Sequence, residues 1–353
     1  GRVSVAVLER EFRLFSHTST RSARQIQPSY GPPPIGMLTE ATLDVLTDPT
    51  WGFPTGLLTP RPLYLLSLTE STNPRTFEDT HGITPVNVAT IEAAFPALRR
   101  GLTRTAAVDA AAVEADVDTL LAHYTRAAED AGVRILTGSG FEEVDRVGNR
   151  WVVRAGDLVV EAGTVVNAAG AWADGVAEAF GAAPRGLSPM RRTVAVAAPR
   201  ERDRVDPGWP MLADADDSFY LRPQGRHVLA SVLEDEPSIA EDARPYRTVV
   251  RSILDRVNDV TDLDLRNPVQ AWTGLRTVSP DGLPVVGRDG RVEGFYWLAG
   301  QGGYGIQTSA GLAEAVAAEL LDREIELPEF HRERARLAMV QLRPDRSSLP
   351  AWC

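Results

Sequence analysis

A chain of 353 residues, 43% of them hydrophobic, is long enough to bury a large core and to fold as two domains. Its net charge of -11 at pH 7 argues against a nucleic-acid binder, which needs a basic face. A single cysteine, Cys353, and five scattered histidines exclude a disulfide scaffold and a structural zinc site, no metal site is expected, and no apolar run reaches the ~18 residues of a membrane span.

Val3 to Leu8 is a nearly continuous apolar run, the pattern of a parallel strand covered on both faces, and it ends in Glu9. An acid at the end of the second strand of a βαβ unit accepts hydrogen bonds from an adenosine ribose; a surface glutamate at a strand end is the plain alternative. The first strand and glycine loop of such a unit do not precede Glu9, so the chain is expected to lack that element. Ser16 to Gln27 is polar and unpatterned, and a Pro-rich turn follows at Gly31–Pro34. A helix is predicted over Thr39–Asp48, a strand over Tyr64–Leu68 and a helix over Asp116–Ala131. Strands recur at Val133–Leu136, Glu142–Val147, Trp151–Arg154, Val159–Glu161 and Val165–Ala168, the last entering Ala169-Gly170 and a helix to Phe180. From Arg191 to Trp272 strand-like segments (Arg192–Ala198, Phe219–Arg222, His227–Val232, Asn267–Thr273) alternate with acidic loops around one amphipathic helix, Arg247–Val260. This is the signature of a sheet with a covering helix, a substrate domain inserted in a nucleotide-binding one.

The strongest local signal comes last. The apolar strand from Phe295 runs into four glycines within six residues (Gly300, Gly302, Gly303, Gly305), and a helix from Ser309 to Leu321 follows, with only a tail after it. Glycine lets backbone N–H groups approach a ligand closely at a helix N-terminus. Gly300, Gly302 and Gly305 match G-x-G-x-x-G literally, but Asp322 and Glu324, near the acid's distance, end a helix rather than a second strand, so a nucleotide fingerprint is not read here. Shortly before, Gly274-Leu-Arg276 offers a fixed charged fork suited to a carboxylate, with no acid beside it.

Glu9, the segment His17–Ala23, Val166–Trp172, Ser218–Leu221, Gly274–Arg276 and Gln301–Ser309 together resemble the FAD-dependent D-amino-acid oxidase and dehydrogenase family, which includes the glycine oxidases, with most likeness to the bacterial D-arginine dehydrogenases. The likeness runs through essentially the whole chain. It implies an α/β fold: a FAD-binding Rossmann-like domain lacking its first strand, with an inserted α+β antiparallel-sheet substrate domain. The implied FAD-binding parts are 1–60, 105–185 and 275–353, and the substrate-binding parts 61–104 and 186–274. FAD, held noncovalently since Ser22 occupies a tethering histidine's place, would lie along Glu9, Arg10, the loop Ser19, Thr20, Arg21, Ser22, Ala23, Arg24 and Gln25, then Phe141, Ala169, Gly170, Trp172, Arg276, and Gly302, Gly303, Tyr304, Gly305, Ile306 and Gln307.

On the substrate side, the resemblance makes Arg276 the carboxylate grip and Tyr220 its hydrogen-bonded partner. It makes Tyr30 an active-site tyrosine on a mobile loop, Arg192 a second arginine, Gly303 the carbonyl for the amine, Gln307 a glutamine beside the flavin and Met211 a pocket wall. Core packing is the plain reading of Trp172, a core-edge hydroxyl that of Tyr220, and a solvated pair that of Arg191-Arg192. Leu63 stands where a glutamate pairs with a basic substrate, Gln25 replaces a flavin-side histidine and Gln27 a threonine. The implied reaction is oxidative deamination of a D-amino acid, neutral rather than basic. Hydride would pass from Cα to flavin, giving an imino acid, then a 2-oxo acid and ammonia, with quinone or oxygen as electron acceptor. A cytoplasmic place, or one peripheral to the inner membrane, goes with it. A glycine- or sarcosine-type secondary amine oxidase and a truncated non-catalytic fragment stay open beside this reading.

Overall fold

The computed structural model describes residues 3–68, 82–201 and 203–346; Cys353 and His81 lie outside them. Strand Phe295–Ala299 is the centre of the first half. That strand pairs in parallel with Val165–Asn167 on one edge and antiparallel with Val285–Arg288 on the other. Its side chains alternate between two cores, as strand geometry requires. Tyr296 packs with Leu312, Ala315 and Val316 of helix Ser309–Leu320, and Phe295 and Trp297 pack with Trp151, Val153 and Phe180. Trp151 and Val153 come from the antiparallel meander Glu143–Val147, Arg150–Ala155 and Leu158–Ala162.

The N-terminal strand is shorter than its apolar run: Ala6–Leu8, parallel to Arg134–Leu136. The expectation of cover on both faces does not hold, for only Leu8 packs on the core and Val3, Val5 and Val7 are exposed. Helix Pro33–Thr47 begins six residues before the predicted Thr39, because Pro33 and Pro34 fill its first turn, where no N–H partner is needed and φ is already set. It crosses helix Ser309–Leu320 at Gly311, where a Cβ would fall 2.8 Å from the Leu38 carbonyl oxygen. The expected tail after Leu321 is instead a helix, Glu329–Gln341, burying Ala335, Ala338 and Met339 in the same core. Its charged residues, dense on the outer face, hide that stripe in the sequence.

Among the described residues the second half is a nine-stranded sheet, which includes the short strand Glu236–Pro237 beside Ser188–Ala197. Ser188–Ala197 pairs antiparallel with Pro268–Val278 on one side and with His227–Ser231 on the other; Tyr220–Gln224, Met211–Asp214, Leu63–Ser67, Thr105–Asp109 and Thr84–Val86 follow in turn. Met211–Asp214 and Leu63–Ser67 run parallel, so the sheet is mixed rather than wholly antiparallel. The strand predicted to end at Thr273 continues through Arg276 to Val278. One face, with Leu66, Leu212 and Leu221, is covered by helix Arg247–Val260 through Ile253, Leu254 and Val257. The other carries Leu63, Val194, Met211 and Tyr220.

One buried carboxylate reports on acid stability. Asp289 accepts from the Trp297 indole at 3.0 Å, from Arg185 at 2.8 Å and from the Arg291 and Val292 amides. Burial alone would raise its pKa; these donors bring it down to about 2. A depressed folded value stabilises the protein above the unfolded value of 3.8 and ceases to do so as pH falls through about 2. Asp289→Asn is expected to lower the melting temperature at neutral pH, with the deficit shrinking between roughly pH 4 and pH 2 in thermal scans. A deficit constant with pH would mean the charge contributes nothing.

Candidate active site

Arg276 sits near the end of the long edge strand, half-buried, and among the described residues no carboxylate pairs with it. Its Nη1 donates to the Tyr30 hydroxyl at 3.4 Å. Burial opposes its charge, but electrostatic interaction with Tyr30, Tyr220 and Tyr304, together with the Tyr30 hydrogen bond, outweighs burial and lifts its pKa above the usual value. Gly303 lies against the same group: a Cβ there would be 3.0 Å from the Tyr30 hydroxyl and 3.3 Å from the guanidinium. The Tyr30 and Tyr304 rings meet at 5.1 Å between centroids. Gly31, at φ +101°, makes that possible, since a Cβ would fall 2.9 Å from the Tyr304 ring.

Register explains why Arg192 joins them. It pairs with Gly274 and Met190 with Arg276, so both arginines stand on one face of the sheet while Arg191 turns to the other. Burial, and then repulsion from Arg276, push the Arg192 pKa down. Its Nη2 meets the exposed Asp235 at 3.0 Å, and its Nε is buried without a partner among the described residues. Tyr220 is 4% exposed on the same face, and burial raises its pKa, so it remains a neutral hydroxyl. Leu63 and Met211 are register partners and form the apolar wall. The Gln27 amide points at the Met211 sulfur, 3.7 Å away.

The segments expected to line a cofactor also converge. The Glu9 carbonyl accepts from Ser139 N–H and its carboxylate from Glu11 N–H, bringing the Glu9–Arg10 end beside the loop that leads to Phe141. Arg10 stacks on Trp172 at 4.5 Å and His17 lies 5.0 Å from the same ring, so Trp172 is a half-buried platform and not the core residue of the plain reading. Asn167 holds the turn Ala169-Gly170 by accepting from Ala169 N–H and donating to the Ala173 carbonyl. The Thr18–Thr20 turn fits against Gly274, whose missing side chain leaves Thr18 and Arg21 in contact with the strand.

Several side chains are committed inside the protein. Arg21 holds Asp242 at 2.6 Å and the Thr273 carbonyl at 2.8 Å, Arg24 holds Asp118, and Ser22 accepts from the Arg24 amide. The Gln307 amide donates to the Tyr30 carbonyl and to Thr39, so it braces the site from behind. Ile306 packs on the helical core, while Gly303 and Gly305 are exposed and Gly302, at φ +50°, donates to the Thr277 carbonyl. Ser19 and Thr20 lie at the loop's surface side. Two features of this surface fit a flat polar cofactor: an open glycine edge, and the buried Gln25 Oε1, which has no partner among the described residues.

Sequence reasoning missed the group behind this surface. Arg222, fully buried, donates to the Ala23 carbonyl at 2.7 Å and to Glu114 at 3.0 Å; Glu114 also accepts from Arg61, whose carbonyl accepts from Gln25. Only the two-residue alternation of Tyr220 and Arg222 hinted at it. Among the described residues no cluster of metal-ligating side chains occurs, and no helix is long and apolar enough to cross a membrane.

The profile described as "DAO: FAD dependent oxidoreductase" matches residues 1–319. Hydrogen cyanide synthase subunit HcnC of Pseudomonas aeruginosa is 30% identical over 202 residues, 57% of this chain and 46% of that protein. D-amino acid dehydrogenase of Cereibacter sphaeroides is 28% identical over 238 residues, 64% of this chain and 50% of that protein. The chain thus spans about half the length of these curated relatives. Among solved structures, glycine oxidase from Geobacillus kaustophilus superposes with a TM-score of 0.81 at 19% identity, over 98% of this chain and 93% of that one, a likeness of fold.

Proposed function

The chain belongs to the DAO family of FAD-dependent oxidoreductases, and from that premise we propose that it oxidatively deaminates a D-amino acid with a neutral side chain. The observation that carries this reading is Arg276: a charged fork without a carboxylate partner among the described residues, bonded to the Tyr30 hydroxyl and faced by Gly303, on the side of the sheet that carries Tyr220 and the apolar wall of Leu63 and Met211. A half-buried cation in such a setting is stabilised by an incoming carboxylate.

In this reading Arg276 binds the substrate carboxylate with Tyr220 and Tyr30, and Arg192 lies on the same side. The Gly303 carbonyl accepts from the amine, which fixes the Cα hydrogen in one direction; such positioning, rather than a side-chain base, is the main contribution of the protein. Two arginines disfavour the ammonium form, so the amine sheds its proton on binding. Glu9, the Thr18–Gln25 segment, Phe141, the Ala169–Trp172 turn and the Gly302–Gln307 loop would hold FAD noncovalently. Bound FAD supplies the two-electron acceptor for the Cα hydride, and the imino acid formed is hydrolysed by water to a 2-oxo acid and ammonia. Quinone or oxygen would take the electrons onward. We assign residues 1–60, 105–185 and 275–353 to the cofactor side and 61–104 and 186–274 to the substrate side. The boundary at 105 falls at the first residue of strand Thr105–Asp109, which pairs within the large sheet, so that strand goes with the substrate side.

Glycine- or sarcosine-type oxidation shares the carboxylate arginine, so the test must separate the two. Supplied with an artificial electron acceptor, the flavin-loaded protein is expected to form 2-oxo acid and ammonia from neutral D-amino acids and to leave N-methylglycine unchanged. Turnover of N-methylglycine alone would replace the present reading with the secondary-amine one.

A further inference from the structure

We propose that Asp109 is a positioning residue for the substrate side of the site, its buried carboxylate fixing the loop that carries Tyr30. The inference rests on the reading of Tyr30 as a substrate-facing hydroxyl. Asp109 ends strand Thr105–Asp109 and is 0% exposed. Its Oδ2 accepts from Ser29 twice, from the amide at 3.2 Å and the hydroxyl at 2.5 Å, and its Oδ1 accepts from Ala111 N–H at 3.0 Å. Hydrogen bonds to a carboxylate are roughly twice as strong as neutral ones. Both bonds to Ser29 fall on the residue directly before Tyr30.

Asp109 is also the register partner of Leu63. Antiparallel partners share a face, so the clamp is rooted in the same wall that would shape the side-chain pocket. From the opposite side, the Gln307 amide donates to the Tyr30 carbonyl at 3.1 Å, and the Tyr304 ring packs at a tilt against the Tyr30 ring. The loop expected to be mobile is therefore gripped at Ser29, at the Tyr30 backbone and at the Tyr30 ring. The consequence is a fixed relation between the Tyr30 hydroxyl and Arg276, so that a carboxylate binding both does not have to order the loop first.

Asparagine at position 109 keeps the shape but turns one acceptor into a donor that faces Ser29 or Ala111. Ser29→Ala removes one of the bonds and carries the same test if Asp109→Asn does not fold. Each is made alone and with Tyr30→Phe in the flavin-loaded protein. The readouts are half-saturating amino acid in anaerobic flavin reduction, the limiting rate, and amide hydrogen exchange at Tyr30. The half-saturating concentration is expected to rise roughly tenfold, an energy of about 1.4 kcal/mol, with the limiting rate little changed. In the Tyr30→Phe background the further rise should be under about twofold, the non-additivity of groups that act through one another. Exchange at Tyr30 should quicken whether or not substrate is present. Full additivity, or exchange left unchanged, would overturn the clamp. A wild-type flavin that no amino acid reduces would instead overturn the reading of the site, and hydrogen exchange would still judge the clamp.

Discussion

Arg276→Ala in the flavin-loaded protein is expected to lower kcat/KM for a neutral D-amino acid by about a hundredfold to a thousandfold, the roughly 3–4 kcal/mol lost when one partner of a desolvated charged pair is removed. The size of the effect follows from the site's composition. Arg276 lacks a carboxylate partner among the described residues, and its near neighbours are the Tyr30 hydroxyl and the Gly303 backbone. Both affinity and limiting rate should fall, since the same contact orients Cα. Arg276→Lys keeps the charge without the planar fork and should recover only part of the loss. Single-turnover reduction across a substrate series measures both terms. An unchanged half-saturating concentration in Arg276→Ala would remove the basis of the carboxylate assignment.

The second large effect concerns side-chain selectivity. Basic D-amino acids are expected to react with kcat/KM at least about a hundredfold below that of neutral ones of similar length, because a cation left unpaired in a desolvated pocket costs several kcal/mol. The wall responsible is visible: Leu63 is 3% exposed, next to Met211 and on the face that carries Tyr220. Leu63→Glu should raise activity with D-arginine while lowering that with D-leucine, and Leu63→Gln, equal in shape but uncharged, should not. The glutamate must cost stability in the absence of substrate, so melting temperatures with and without D-arginine accompany the kinetics. Equal turnover of D-arginine and D-leucine by the unsubstituted protein would show that another carboxylate serves the pocket.

How far the sequence carried these conclusions differs from residue to residue. The strand–glycine–helix unit around Phe295 was readable because its period and its glycines are local. The convergence of Tyr30, Arg192, Tyr220 and Arg276 was legible through resemblance alone. They come from segments up to 246 positions apart, as the Tyr30–Arg276 contact shows, and no period links them. Once the register is known, their common face follows from simple alternation. What stayed hidden depends on unpredictable long-range pairing: Asp109 under Ser29, and the Arg61–Glu114–Arg222 group beneath Ala23. Gln307 is instructive in the other direction. Its position beside the glycine loop invited a role at the flavin, while its amide is turned inward onto Tyr30 and Thr39. The helix Glu329–Gln341 was overlooked because a narrow stripe of Ala and Met among charges gives a weak apolar signal.

The most direct test of the whole account is the visible absorption spectrum of the flavin-loaded protein, recorded before and after anaerobic addition of neutral D-amino acids. The oxidised flavin bands are expected to bleach, with 2-oxo acid and ammonia appearing in amounts matching the flavin reduced. Bands that persist with every amino acid tried, in a protein that dithionite still bleaches, would contradict it.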